Sequence, residues 1–155
     1  MILLSPMSQG DIPKLTRLEA QTTPFSWTEK MLSDSWENAA ADCFVIEHKQ
    51  NTVGYLVVQS VLDESELLNI VVFKSFQSRG YAQAALKRLC QSLQDTGSVK
   101  LFLEVRASNV SALNLYRKFT FKQQSVRKDY YRAKNDTEAE DALLMYLNLG
   151  VFINS

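Results

Sequence analysis

The sequence predicts a mixed α/β fold, one sheet with helices on both of its faces, and three observations predict it. Two nearly continuous apolar runs, ELLNIVV at 66–72 and VKLFLEV at 99–105, read as interior strands, because a strand covered on both sides has no polar face. Between them Ala82, Ala85, Leu86, Leu89, Cys90 and Leu93 recur at helical spacing, so the two strands join through a helix and run parallel. The other strand-like segments are separated by polar turns or by short amphipathic stretches. The resulting order is β-α-α-β-β-β-α-β-α-β-β.

Taken in order, Ile2 to Leu4 form a short first strand, and Ser8 or Asp11 caps a helix carrying Ile12, Leu15 and Leu18. After the turn TTPF, Ser26 and Glu29 make an S-x-x-E capping box that opens a second helix through about Trp36. Cys43–Glu47 and Thr52–Ser60 are rich in β-formers and joined by KQN, which makes them an antiparallel hairpin. Asp63 and Glu64 form the next turn, and the run at 66–72 follows, interrupted by Asn69. The long helix starts near Gly80 and stops near Gly97. Ser108 or Asn109 caps a last helix bearing Ala112, Leu115, Tyr116 and Phe119. Two terminal strands, Phe121 to Arg127 and Ala142 to Leu149, flank the polar loop RAKNDTEAE.

At 155 residues the chain is expected to be a single domain spanning 1–155. Lys plus Arg and Asp plus Glu number 17 each, so no basic excess points to nucleic acid or to a membrane. Cys43 and Cys90 stand apart from each other and from His48, the only histidine, so no metal site is expected and both thiols read as core residues. MILLSPMSQGD lacks a basic leader and a long apolar core, and the expected location is cytoplasmic. The sequence does not set the oligomeric state; a monomer is the default.

Two places carry chemistry. Between Val72 and Gly80 lies FKSFQSRGYA, a strand-to-helix loop whose unpaired amides and helix dipole suit a phosphate, with Gly80 allowing close approach and Arg79 adding a charge. An ordinary turn is the alternative. The loop has neither the three glycines of a dinucleotide fingerprint nor a Walker sequence. Glu104 is the second place. Inside LFLEV it shares a strand face with Phe102 and Arg106, opposite Leu101, Leu103 and Val105, and an unpartnered buried charge is costly. Either it lies at a cleft, or its proton affinity is raised, or it stands at a solvent-facing strand end. Tyr116 points inward as packing or toward the strand end.

The residues in these two places resemble a known family. Gln77, Gly80 and Ala82 match the Q/R-x-x-G-x-G/A signature of GNAT acetyltransferases, and LEVRASNVSALNLY resembles the LEVR-x-S-N-x-x-A-x-x-L-Y segment of their RimI branch, the ribosomal-protein alanine N-acetyltransferases. PFSW at 24–27, VLDESELLNIVV at 61–72, VRKDYY at 126–131 and EDALLM at 140–145 extend the likeness over nearly the whole chain. The resemblance implies a mostly antiparallel sheet of six to seven strands with a parallel pair flanking an acetyl-coenzyme A cleft. It implies that Ile70, Val71 and Val72 meet the pantetheine arm, and that Gln77, Ser78, Arg79, Gly80, Tyr81, Ala82 and Gln83 meet the phosphates. It makes Asn109 a further coenzyme contact, Glu104 the general base and Tyr116 the general acid. The implied acceptor is the N-terminal alanine of small-subunit ribosomal protein eighteen.

Departures from the pattern are Lys74 where a proline is common, Ala82 for the second glycine, and Thr120 for a glycine before Phe121. A glycine at 120 suits a left-handed helix stop, which Thr adopts only at a cost. Trp27, Tyr130 and Tyr131 are candidate walls of the peptide groove or simply half-buried aromatics. Asp63 and Glu64 either attract a basic peptide or serve the turn. Two other functions fit the sequence: acetylation of lysine side chains or a small-molecule amine on the same fold, and a non-catalytic acyl-coenzyme A-binding regulator.

Overall fold

A computed structural model describes residues 1–132 and 139–151. Among these residues seven strands form one sheet: β1 (Ile2–Pro6), β2 (Ala41–His48), β3 (Asn51–Val61), β4 (Glu64–Val72), β5 (Lys100–Arg106), β6 (Lys122–Arg132) and β7 (Ala139–Asn148). They are ordered β1-β2-β3-β4-β5-β7-β6. Every neighbouring pair is antiparallel except β4 and β5, which the helical crossover makes parallel. Among the described residues four α-helices accompany the sheet: α1 (Ile12–Ala20), α2 (Glu29–Glu37), α3 (Tyr81–Asp95) and α4 (Val110–Lys118).

The helices divide between the two faces. On one face Ala85, Leu86, Leu89 and Cys90 of α3, with Leu113 and Tyr116 of α4, pack on Leu56, Leu67, Leu101 and Leu103. On the other, Ile12 and Leu15 of α1 and Leu32 of α2 pack on Val45, Tyr55, Val57 and Val71. The alternation expected for β5 holds: Leu101, Leu103 and Val105 are buried, while Phe102, Glu104 and Arg106 are half-buried on the α1 side.

Several local expectations are corrected. The second helix begins at Glu29 and is capped by Thr28, whose Oγ1 accepts the Met31 amide at 3.1 Å. Ser26 stands two residues ahead of this cap, and the Trp27 amide between them donates to the buried Glu19 carboxylate at 3.1 Å before the chain turns into the helix. The turn before β4 is Leu62–Asp63, and Glu64 is already in the strand, paired with Val61. The terminal hairpin is longer than expected, consuming both ends of the proposed loop RAKNDTEAE; the rest of that loop, 133–138, and the tail at 152–155 lie outside the described residues. The first hairpin turns as expected, Lys49 and Gln50 taking φ of 50° and 67°, the left-handed pair a two-residue hairpin requires.

Candidate active site

β4 carries the feature that opens the site. Along β3 its register steps from Val58↔Leu67 to Val57↔Asn69, so Leu68 is an inserted bulge residue. The bulge puts Leu68 and Asn69 on the same, α1-facing side: Leu68 packs with that cluster, and the Asn69 amide reaches Glu19 of α1. β4 and β5 are paired only from Glu64↔Lys100 to Leu67↔Leu103. Past the bulge the strands part. Phe73 N–H donates to Val53 at 2.9 Å, so strand alternation turns the backbone of Val71 toward β3 and that of Ile70 and Val72 into the gap. The Val72 carbonyl is met there by the Gln77 side-chain amide at 3.0 Å.

Gly54 sustains this geometry from β3. A Cβ at this position would lie 2.0 Å from the Val71 carbonyl oxygen, so only glycine lets β3 approach the end of β4 this closely. Beneath the bulge, Glu19 is 2% exposed and accepts hydrogen bonds from Trp27 N–H at 3.1 Å, Tyr55 O–H at 2.5 Å and Asn69 Nδ2 at 3.0 Å. Burial, then the neighbouring Glu19 charge, pushes the Tyr55 phenol well above its usual range, so it stays a donor. Glu19 was missed in the sequence, although a charged residue seven positions after Ile12 on the buried stripe of α1 was a readable signal.

The gap widens into an open cleft of about 880 Å³ that reaches both faces of the sheet. On the α3 face, Gln77, Ser78, Gly80, Tyr81, Ala82 and Gln83 line it, joined by Asn109. Ser78 and Gly80 both take positive φ, 64° and 80°, and Gly80 is the N-cap of α3 with no side chain capping it, so the first amides of the helix face the cleft unclaimed. Nothing crowds Gly80. Asn109 uses Oδ1 to accept the Ala112 amide at 3.1 Å, capping α4 and leaving Nδ2 for a ligand. Arg79 does not line the cleft; its guanidinium lies 5.9 Å from the Phe76 ring centroid. His48 stacks on Tyr81, with Nδ1 3.0 Å from the phenol oxygen. Its pKa is lowered, first by burial and then by the charges of the N-terminus, Lys49 and Arg79.

On the α1 face the cleft is lined by Phe25, Trp27, Glu104, Arg106 and Tyr131. Of the three sequence expectations for Glu104, the cleft position holds: its side chain is 18% exposed and its Oε1 lies 3.3 Å from Arg127 Nη1. Burial raises the pKa of the neighbouring Glu66 carboxyl and of the Tyr131 phenol, and the Glu104 charge adds to both. Tyr116 lines the cleft from α4, 6% exposed, its hydroxyl without a hydrogen bond to any described residue. Burial pushes that phenol well above its ordinary range. Trp27 and Tyr131 thus stand at the cleft as expected. Tyr130 does not: it is half exposed and packs edge-on against Tyr131 at 5.2 Å. Asp63 and Glu64 stand at the far end of β4, away from the cleft. Phe25 and Arg106, to which the sequence reading gave no role, are cleft residues.

Neither cysteine lines the cleft, and burial, which disfavours the thiolate, pushes the Cys43 thiol up to about 11 and the Cys90 thiol to about 12. Among the described residues no cluster of His, Cys, Asp and Glu is arranged to hold a metal, and no helix is long and apolar enough to cross a membrane.

Comparison with known proteins places this arrangement. The sequence model of the acetyltransferase (GNAT) family matches residues 12–121. A [ribosomal protein bS18]-alanine N-acetyltransferase of Escherichia coli strain K12 is 30% identical over 97% of this chain and 100% of its own length. The protein of the same description from Haemophilus influenzae is 32% identical over 94% of this chain and 97% of its own. The crystal structure of the ribosomal-protein-S18-alanine N-acetyltransferase from Escherichia coli superposes with a TM-score of 0.87, at 31% identity, covering 96% of this chain and 94% of that one.

Proposed function

The chain belongs to the GNAT family of acetyltransferases, and from that premise we propose that it acetylates the N-terminal α-amine of a protein, the alanine that begins ribosomal protein bS18. Acetyl-coenzyme A is the co-substrate of the family and supplies an activated thioester. The observation that carries the reading is the parted end of β4 and β5, which joins an uncapped helix N-terminus on one sheet face to a carboxylate on the other. The acceptor reading is supported by the relatives described as [ribosomal protein bS18]-alanine N-acetyltransferases, which share the sequence over nearly its full length. A protein that modifies a ribosomal component works in the cytoplasm.

The residues fit the co-substrate. The free amides at the start of α3 suit its pyrophosphate, and the gap-facing backbone of Ile70 and Val72 suits the amide-rich pantetheine arm. An acyl end carried through the gap would lie at the α1 face near Glu104. An α-amine has a reference pKa of about 7.7–8, against about 10.4 for lysine, so it needs less help to shed its proton. Glu104 takes that proton, directly or through a water, as the nitrogen attacks the acetyl carbonyl. The Val72 N–H, turned into the gap, donates to the oxygen on which charge develops. Tyr116, kept a phenol by burial, protonates the departing thiolate. The amide bond forms as the thioester breaks, and no acetyl-enzyme is required.

A peptide panel separates this from transfer to lysine or to a small amine. Peptides beginning with alanine are expected to release coenzyme A thiol, and the same peptides with blocked N-termini and free lysines are expected to release none. Equal rates with blocked peptides would transfer the assignment to side-chain amines. No thiol release with any amine would favour a non-catalytic acyl-coenzyme A-binding role.

A further inference from the structure

Arg106 occupies an unusual position at the α1 face of the cleft. Its guanidinium carbon lies 3.8 Å from the centroid of the Phe25 ring and 4.1 Å from that of Tyr131. Two rings this close cannot share one face of a planar group, so the guanidinium is sandwiched between them. Its edge meets Glu140 of β7, Nη1 to Oε2 at 3.5 Å, and Glu140 is itself anchored by the Ser108 amide at 3.0 Å. The side chain is 19% exposed. Phe25 comes from the connection between α1 and α2, whereas Tyr131 comes from the end of β6. Phe25 is 42% exposed and lays its ring on the Arg106 guanidinium.

We propose that Arg106 is the positioning residue that couples the two walls of the acceptor mouth, holding Phe25 and Tyr131 at a set spacing on either side of the approach to Glu104. Building on the acceptor reading above, this assigns Arg106 to acceptor affinity and leaves the acetyl-coenzyme A half of the cleft, built from β4 and α3, independent of it. Lysine at this position keeps the charge near Glu140 but lacks the flat surface that both rings cover.

The test uses the full chain with Arg106→Lys and Arg106→Gln. In both, KM for the peptide is expected to rise about tenfold, the equivalent of losing two such stacking contacts, while KM for acetyl-coenzyme A stays within twofold. A residue that merely supported the fold would raise both constants together. Amide hydrogen exchange of the unliganded protein gives a second readout that needs no turnover: segments 21–28 and 126–131 are expected to exchange faster together, with 78–83 unchanged. If the wild-type chain acetylates no peptide, the proposed function fails and the exchange result alone decides the clamp. A peptide KM within twofold of wild type, or exchange that changes on neither wall, overturns the proposal. Should the arginine variants not fold, Phe25→Leu, a change at an exposed side chain, removes one face of the stack and is expected to give the same split in KM.

Discussion

Thr120 stops helix α4 in the left-handed region, φ 66°, where a glycine is the usual occupant. The two hydrogen bonds of a Schellman stop are nevertheless complete: Thr120 N–H reaches the Arg117 carbonyl at 2.9 Å, and Phe121 N–H reaches that of Tyr116 at 3.0 Å. The apolar contact that accompanies such a stop is the Tyr116–Phe121 ring pair, centroids 5.5 Å apart, so the helix end holds the proposed acid in place. The strained Thr120 thus lies one residue from the ring that packs on the proposed acid. Thr120→Gly is expected to raise stability by about 0.5–1 kcal/mol, a gain reduced by the greater freedom of glycine in the unfolded chain. Thermal melts check this, and an unchanged or lower midpoint would contradict it. At this scale the sequence was legible where a residue broke its local pattern. Glu104 interrupts an apolar strand, and Thr120 stands in a glycine's place. Arg106 was not, because its meaning lies in two rings, 81 positions before it and 25 after it, that no local window contains.

The decisive element is β4, and its bulge was not readable. ELLNIVV has the composition of a regular buried strand, and nothing in seven residues says that Leu68 is extra. The insertion becomes visible only through its partners, Gly54 and Tyr55 on β3 and Glu19 on α1, which hold Asn69 and Val71 where the strand swings away from β5. Gly54→Ala tests that dependence. The added methyl group would overlap the Val71 carbonyl, so β3 and β4 must separate at the point where the gap begins. Stability is expected to fall by roughly 1–3 kcal/mol, and affinity for acetyl-coenzyme A by roughly tenfold, as read by thermal unfolding and calorimetry. Unchanged affinity in a folded variant would remove Gly54 from the architecture of the cleft. Helix α2 shows a lesser case of the same limit: Ser26 and Thr28 are both sound caps by type, and the helix starts only after Thr28, once the Trp27 amide has met Glu19.

For the molecule as a whole, the element order and the parallel crossover were legible because periodicity and turn chemistry are local. The insertion of β7 between β5 and β6 was not, since strand pairing is a long-range choice. The sheet is thereby extended beyond the proposed base: β7 pairs Leu144 with Glu104 and carries β6, whose Arg127 meets the Glu104 carboxylate. One sheet therefore offers an uncapped helix N-terminus on one face and a carboxylate on the other, with a parted strand pair between them. The division of labour across that passage is measured most directly by the turnover of Glu104→Gln on an N-terminal alanine peptide, with the affinity for acetyl-coenzyme A determined on the same sample. The expected result is a fall in kcat of roughly 10²–10⁴-fold at unchanged affinity. Turnover equal to the wild type would contradict it.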